Sequence, residues 1–357
     1  MEKINLKGLN ESEIASYLKK YDLPQFRSKQ IFQWIYQKNV DNFHLMTNIS
    51  KEQRDFLDKN FIIKNISIEK KLISKDGTVK YMFSLDDEGK IESVLLPPLS
   101  VNRKEGWIEE DTPNRLTICV STQVGCPLGC VFCATGYMNY KRNLSAFEII
   151  DQILQVEKDS GKKITNIVYM GMGEPLLNYD NVIKSIEIIN DGMGLGIANK
   201  HITVSTSGIA NVIKRIADEN RKFKLAISLH SLDDEIRTQL MPINKKYNLK
   251  SLLDSVKYYY SKTKRRPTFE YILFENINDT EEDKKKIIKL AKEIPCKFNM
   301  INFHESDVFD SYLKRSSKFQ SFIDDLRENN ITVMVRNSSG EDISAACGQL
   351  VIKQKTN

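Results

Sequence analysis

The chain has 357 residues, 41% of them hydrophobic and 28% charged, the balance of an ordinary globular protein long enough for about two domains. No apolar run approaches the ~20 residues that a membrane span needs, and the opening MEKINLKGLNESE lacks the apolar stretch of a signal peptide. A cytoplasmic protein with no membrane partner is therefore expected. Its net charge of +6 is compatible with phosphate contacts and equally with a solvated lysine-rich face.

Read in chain order, residues 1–96 form a small α+β unit. Apolar residues at helical spacing predict helices over 12–21, 28–38 and 50–59. Strands follow over 64–72 and 79–84, with Lys75-Asp76-Gly77 as the turn between them, and another over 92–96. Residues 97–114 are polar and proline-bearing, and read as a connector. Beyond Arg115 strands and helices alternate. Strands are predicted over 116–121, 164–170, 201–205, 224–229, 268–274, 297–303 and 331–336, and the helices between them over 146–159, 179–190, 211–220, 249–261, 281–293 and 318–329. Such repeated units imply an α/β fold with a parallel sheet and outer helices. Six of them suit a partial (β/α)6 barrel, spanning 115–350 before a short tail at 351–357.

CPLGCVFC (126–133), GMGEP (171–175), STSG, SLH and NFH each follow a predicted strand. Sites in parallel β/α folds form at the carboxyl ends of strands, so these segments are expected to meet at one mouth. Two basic clusters stand elsewhere, Lys59, Lys64, Lys70, Lys71, Lys75 and Lys80 in the N-terminal unit, and Lys262, Lys264, Arg265 and Arg266 before the fifth strand.

Six cysteines in a reducing compartment do not suggest a disulfide framework. Cys126, Cys130 and Cys133, spaced C-x3-C-x2-C, are three possible thiolate ligands. Structural zinc would need a fourth, from Cys119, Cys347 or a histidine. A [4Fe–4S] cluster held by three keeps one iron open. The glycines of GMGEP allow close backbone approach, and Glu174 can accept hydrogen bonds from an ammonium. Cys296 begins a strand and reads as a buried structural thiol.

With Phe132 before its last cysteine, the spacing resembles the signature of the radical S-adenosylmethionine superfamily. VSTQVGCPLGCVFCATG, MGMGEPLLN, VSTSG, LAISLH, LMPINKKYN and ISAACGQL, between residues 119 and 350, together resemble the RlmN/Cfr family of RNA methyltransferases and are most similar to its RlmN branch. The N-terminal unit resembles that family's accessory RNA-binding domain. The resemblance implies a partial TIM-like barrel of the radical SAM type, with a [4Fe–4S] cluster on Cys126, Cys130 and Cys133. It implies two S-adenosylmethionine molecules per turnover, contacted by Gly173, Glu174, Ser205, Ser228, Leu229 and His230. It also implies that Cys347 carries the methyl group as S-methylcysteine. A radical formed on that group joins adenine, and Cys119 resolves the resulting crosslink through a transient disulfide with Cys347. Glu92 matches the family's proton acceptor, although from the residues alone Glu109 and Glu110 are rivals.

The implied product is an adenosine methylated at carbon 2 in 23S ribosomal RNA, at the peptidyl transferase centre, and in tRNA anticodon loops. A flavodoxin or ferredoxin is the implied electron donor, and a monomer is expected. One departure concerns Asn302-Phe303-His304-Glu305, which stand where the family has a Pro-aromatic-Asn-Pro stretch. His304 thus takes the place of a cofactor-binding asparagine and can donate or accept a hydrogen bond much as the amide would. A Cfr-like methyltransferase acting at carbon 8 shares the cysteines, whereas Pro175 of GMGEP favours the RlmN side. A non-enzymatic zinc protein that binds RNA is the alternative from another class.

Overall fold

A computed structural model describes residues 3–98, 115–304, 312–336 and 339–351. Glu109, Glu110, most of the expected connector and the tail beyond Val351 lie outside the described residues.

The N-terminal part comprises β1 (Ile4–Asn5), α1 (Glu11–Lys19), α2 (Phe26–Tyr36), α3 (Lys51–Asn60) and β2 (Phe61–Ile62). It continues with β3 (Ser67–Ile73), β4 (Val79–Ser84) and β5 (Lys90–Leu96). Next come β6 (Thr117–Cys119), β7 (Gln123–Val124), β8 (Arg142–Asn143), α4 (Ala146–Ser160), β9 (Asn166–Tyr169), α5 (Tyr179–Asn190), β10 (Ile202–Thr206) and α6 (Ala210–Asp218). The chain then runs through β11 (Lys224–Ser228), α7 (Asp234–Leu240), α8 (Leu249–Thr263), β12 (Thr268–Leu273), α9 (Glu281–Glu293), β13 (Lys297–Asn302), α10 (Phe319–Glu328) and β14 (Val333–Arg336).

Ten strands make one sheet, in the order β14-β13-β12-β11-β10-β9-β6-β5-β4-β3. From β6 to β14 all pairings are parallel. Strands β6, β9, β10, β11, β12 and β13 are each followed by an outer helix, which gives the six units of the expected partial barrel. Apolar alternation in the strands builds the core from Ile118, Ile167, Tyr169, Ile202, Val204, Leu225, Ile227, Phe269, Tyr271, Phe298 and Met300, all buried. Helix ends follow local chemistry. Ser145 and Glu148 form a reciprocal capping box at the start of α4, and Gly161 in the left-handed region ends it.

The sheet does not break at residue 96, where the sequence suggested a domain edge. β5 pairs antiparallel with β6, Val94 opposite Cys119, so β3–β5 extend the barrel wall. The reason lies in β5 itself, whose central residues are all buried, unlike those of an edge strand. Only the helical layer α1–α3 stands off the sheet. It is fastened by Lys7, whose Nζ donates to Asp151 Oδ1 of α4 at 2.7 Å with both side chains fully buried. The other Asp151 oxygen accepts from the Ile66 N–H at 2.7 Å.

Among the described residues no helix is long and apolar enough to cross a membrane.

Candidate active site

The carboxyl ends of the parallel strands open on one cleft of about 870 Å³. The loop after β7 carries Cys126, Cys130 and Cys133 into its wall. That loop is held by Val131 N–H donating to Leu240 O at 3.1 Å, and by a tight turn in which Gly136 N–H donates to Cys133 O at 2.8 Å. Burial pushes all three thiols up, Cys126 to about 12, and they also raise one another. Buried thiolates therefore need a cationic partner, which iron supplies. Among the described residues no three His, Cys, Asp or Glu side chains converge tightly enough to hold a single ion. The donor set suits a cluster whose irons sit apart: three sulfurs from one loop, in a wall otherwise lined by Leu128, Phe132, Met241 and Ile272.

Across the cleft lies GMGEP. Gly173 has φ +99°, and a Cβ there would meet Gln123 Cβ at 2.5 Å, so only glycine fits. Gly171 packs as closely on Val120, 2.7 Å from a built Cβ. Glu174 is buried, its Oε2 accepting from Ser207 N–H at 2.7 Å and its Oε1 from Leu176 N–H at 3.0 Å. Burial raises its carboxyl, against those donors. An ammonium group brought beside it would favour the charged form.

Ser205, Ser228 and His230 also line the cleft. His230 sits at φ +55° and accepts from Ile272 N–H at Nδ1, 3.1 Å, leaving its proton on Nε2. Its ring stands edge-on to Phe132 with centroids 4.6 Å apart, and burial lowers its pKa to about 3. It is a neutral donor at any working pH. Two expected cofactor contacts are not in the wall. Leu229, just past the end of β11, is fully buried in the core and does not line the cleft. His304 faces Glu341, 3.5 Å from Nδ1 to carboxylate, while its buried Nε2 has no hydrogen-bond partner among the described residues.

The C-terminal segment 339–351 runs along the other side. Gly340 N–H donates to Asp76 Oδ2 at 2.8 Å, and Asp342 accepts from Ser74 and from Lys75 N–H, which ties the segment to the β3–β4 turn. At its far end Ala134 N–H donates to Gly348 O at 2.6 Å, and Thr135 Oγ1 to Leu350 O at 2.7 Å. Cys347, exposed, is thereby hung in the cleft beside the cysteine loop. Cys119, buried at the end of β6, is raised to about 12 by burial and then by Cys347, while Arg336 and the Met170 N–H pull it back. Glu92 of β5 is buried too. Its Oε2 accepts from Val351 N–H at 3.0 Å and its Oε1 lies 3.3 Å from Lys80 Nζ, which also donates to Ser344 O at 3.1 Å. Burial raises its carboxyl above the usual 4.5, with Lys80 opposing. Cys296 is buried at the start of β13, away from the cleft.

Several cleft residues escaped the sequence reading. Glu270, one acidic residue in the apolar TFEYIL strand, is buried, faces the cleft and accepts from Asn299 Nδ2 at 2.8 Å. Arg336 closes the same wall and reaches Met170 Sδ at 3.0 Å. A carboxylate amid β-branched and aromatic residues was the available signal for Glu270; Arg336, at a strand end, offered none.

The basic clusters are less available than their charge implied. Lys64 pairs with Asp86, Lys71 with Asp159 and Lys80 with Glu92. The second cluster precedes β12 and so lies at the amino ends of the strands, opposite the cleft.

Comparison with known proteins agrees with this architecture. Residues 120–306 match the family model of the radical SAM superfamily, and residues 4–63 that of the ribosomal RNA large subunit methyltransferase N-terminal domain. The chain is 46% identical over 359 residues, covering 100% of both chains, to the probable dual-specificity RNA methyltransferase RlmN of Alkaliphilus oremlandii. To the protein of that name from Petrotoga mobilis it is 43% identical, covering 98% of this chain and 97% of the relative. The crystal structure of a radical SAM methyltransferase from Sphaerobacter thermophilus superposes with a TM-score of 0.87 at 35% identity, covering 97% of this chain and 99% of that one. With both family models matched and likeness sustained from end to end, the chain belongs to the RlmN family of the radical S-adenosylmethionine superfamily, whose members use a [4Fe–4S] cluster and S-adenosylmethionine.

Proposed function

We propose that this protein methylates carbon 2 of an adenosine in 23S ribosomal RNA and in transfer RNA, as a monomer supplied with electrons by a flavodoxin or ferredoxin. The observation that carries the reading is the C-terminal segment, which sets Cys347 in the cleft beside the three loop thiols and gives its Val351 N–H to Glu92, on the strand that pairs with the one bearing Cys119. Carbon 2 of adenine is not nucleophilic, so a methyl group cannot reach it by simple displacement, and a second pair of cysteines separate from the cluster ligands answers that need.

In this reading Cys126, Cys130 and Cys133 hold the cluster. Glu174, Ser205, Ser228 and His230 orient S-adenosylmethionine, with the backbone of Gly173 close behind. When bound, the cluster and S-adenosylmethionine supply one-electron chemistry that removes a hydrogen atom from an unactivated methyl group. The apolar wall of Leu128, Phe132, Met241 and Ile272 keeps water from it. Cys347 carries the methyl group to the base. Glu92 takes the proton from carbon 2, and burial, which raises its carboxyl above the usual carboxylate range, makes it a stronger base for that step. One electron leaves the adduct with that proton and returns to the electron carrier. The Cys119 sulfur, having given up its own proton, then attacks that of Cys347, the S–S bond forming as the bond from sulfur to the methylene carbon breaks, and that carbon takes up a proton to release the methylated base. The substrate adenosine must be splayed from its neighbours to enter, as for other enzymes acting on a base.

The test is an anaerobic assay of the iron-reconstituted protein with ribosomal and transfer RNA transcripts, followed by nucleoside mass spectrometry. Formation of 2-methyladenosine is expected. Exclusive 8-methyladenosine would overturn the carbon-2 assignment, and a protein purified anaerobically with zinc but neither iron nor sulfide would overturn the cluster.

A further inference from the structure

The LMPIN segment has no part in the chemistry above, yet it encloses an unusual charge. Arg237 of α7 is completely buried. Its guanidinium donates to Ser228 O at 3.1 Å, Ser207 O at 2.8 Å and Leu229 O at 3.2 Å, and to Asn244 Oδ1 at 2.6 Å. All four acceptors are neutral, and among the described residues no carboxylate lies within ion-pair distance of Arg237. Asp234 is one step removed, receiving the Asn244 amide at 2.9 Å. A buried cation without an ion-pair partner costs several kcal/mol, more than a strut between strand ends requires.

What lies near it is the cysteine loop. Ser207 and Ser228, whose carbonyls Arg237 holds, line the cleft that Cys130 lines. The same helix turn delivers Leu240 O to Val131 N–H at 3.1 Å, and Met241, bonded to Arg237 O at 2.7 Å, into the wall. Arg237 thus sits directly behind the wall that carries Cys130.

We propose that Arg237 is the counter-charge of the iron–sulfur cluster, a positioning residue that acts through the Cys130 ligand to make the cluster easier to reduce. This rests on Cys126, Cys130 and Cys133 being the cluster ligands. Three thiolates give an oxidised [4Fe–4S] cluster a net negative charge, and one-electron reduction makes it more so. A fixed cation in a low-dielectric wall favours the reduced form, and net charge and hydrogen bonding are levers on cluster potential. The LMPIN segment then has a function: Asn244 occupies one face of the guanidinium with a neutral oxygen, leaving its charge unspent.

The test compares wild type with Arg237→Lys, Arg237→Gln and Asn244→Asp, each reconstituted anaerobically. Iron and sulfide per chain are measured first. The cluster is then titrated with dithionite and viologen mediators, and the reduced form is read by electron paramagnetic resonance. At a fixed ambient potential, Arg237→Gln should lower the ratio of reduced to oxidised cluster about tenfold, equivalent to about 59 mV for one electron. Arg237→Lys should stay within about twofold of wild type, and Asn244→Asp, which brings a carboxylate to the intact guanidinium, should fall at least threefold. A wild-type ratio in Arg237→Gln, or a fall in Arg237→Lys as deep as in Arg237→Gln, would overturn the proposal. Should Arg237→Gln fail to fold, Asn244→Asp decides, and an unchanged ratio there defeats it. Wild type without iron would instead defeat the ligand assignment.

Discussion

Cys119 and Cys347 differ in surroundings, one sealed in the sheet and the other exposed on a tethered segment. The exposed thiol can be loaded and can meet RNA, whereas the sealed one, held protonated by burial, stays unreactive until the substrate chemistry reaches it. Cys347→Ala is therefore expected to abolish methylation while leaving the iron content unchanged. Cys119→Ala should leave RNA covalently joined to protein, seen as a slowly migrating band on a denaturing gel. Glu92 makes a prediction in pH. Its carboxyl is raised by burial more than Lys80 and Val351 lower it, and a base works only when deprotonated. Single-turnover rates should fall as pH drops through a value above the usual 4.5, and Glu92→Gln should lose at least about 10²-fold in rate. A variant retaining the wild-type rate and pH limb would remove Glu92 from the proton transfer.

At the scale of elements, the strands are legible in local pattern and the connections between distant parts are not. The segment ITNIVYM is β-branched and bounded by a glycine, so β9 was readable, as was the cysteine loop from its spacing alone. The side chain of Leu229 goes to the core while Ser228 and His230 line the cleft, because the chain leaves β11 after Ser228 and His230 takes a left-handed backbone that no apolar pattern reveals. Helix α7 was missed, being only seven residues long and stabilised by Arg237 bonding to carbonyls on two other strand ends, which no local pattern reveals. The attachment of segment 339–351 was equally invisible, since Asp76 and Gly340 are 264 residues apart. That attachment can be tested. Asp76→Ala removes the acceptor of Gly340 N–H and slackens the segment that holds Cys347. A displacement of about 1 Å at a reacting group can cost ~10²-fold, so methylation should drop by at least tenfold. Stability should change by no more than ~2 kcal/mol, since Asp76 Oδ1 also accepts from Thr78 N–H at 2.8 Å and two partly exposed hydrogen bonds are lost.

For the molecule as a whole, the fully buried ion pair Lys7–Asp151 joins the helical layer to α4. Lys7→Ala would leave the Asp151 carboxylate buried with only the Ile66 and Gln155 N–H groups for company. Breaking a buried pair from one side costs about 3–5 kcal/mol, and urea unfolding monitored at Trp34 would show that loss; a change below ~1 kcal/mol would mean the layer is held by its apolar contacts alone. The double replacement Lys7→Met with Asp151→Leu should recover most of it, because an apolar pair of similar volume pays no desolvation cost.

The unbroken sheet has a mechanical consequence. Because β3–β5 are stitched through β5 and β6 to the barrel, and Cys119 itself stands in that ladder opposite Val94, the described residues carry Glu92 and Cys119 on one continuous sheet. Glu92 and Cys119 are therefore borne on one sheet, and Cys347 on a short strap tied to it at both ends. A large folded RNA cannot be enclosed by a closing jaw built from these strands. It must instead bend to present its adenosine, and the work of distortion falls on the nucleic acid.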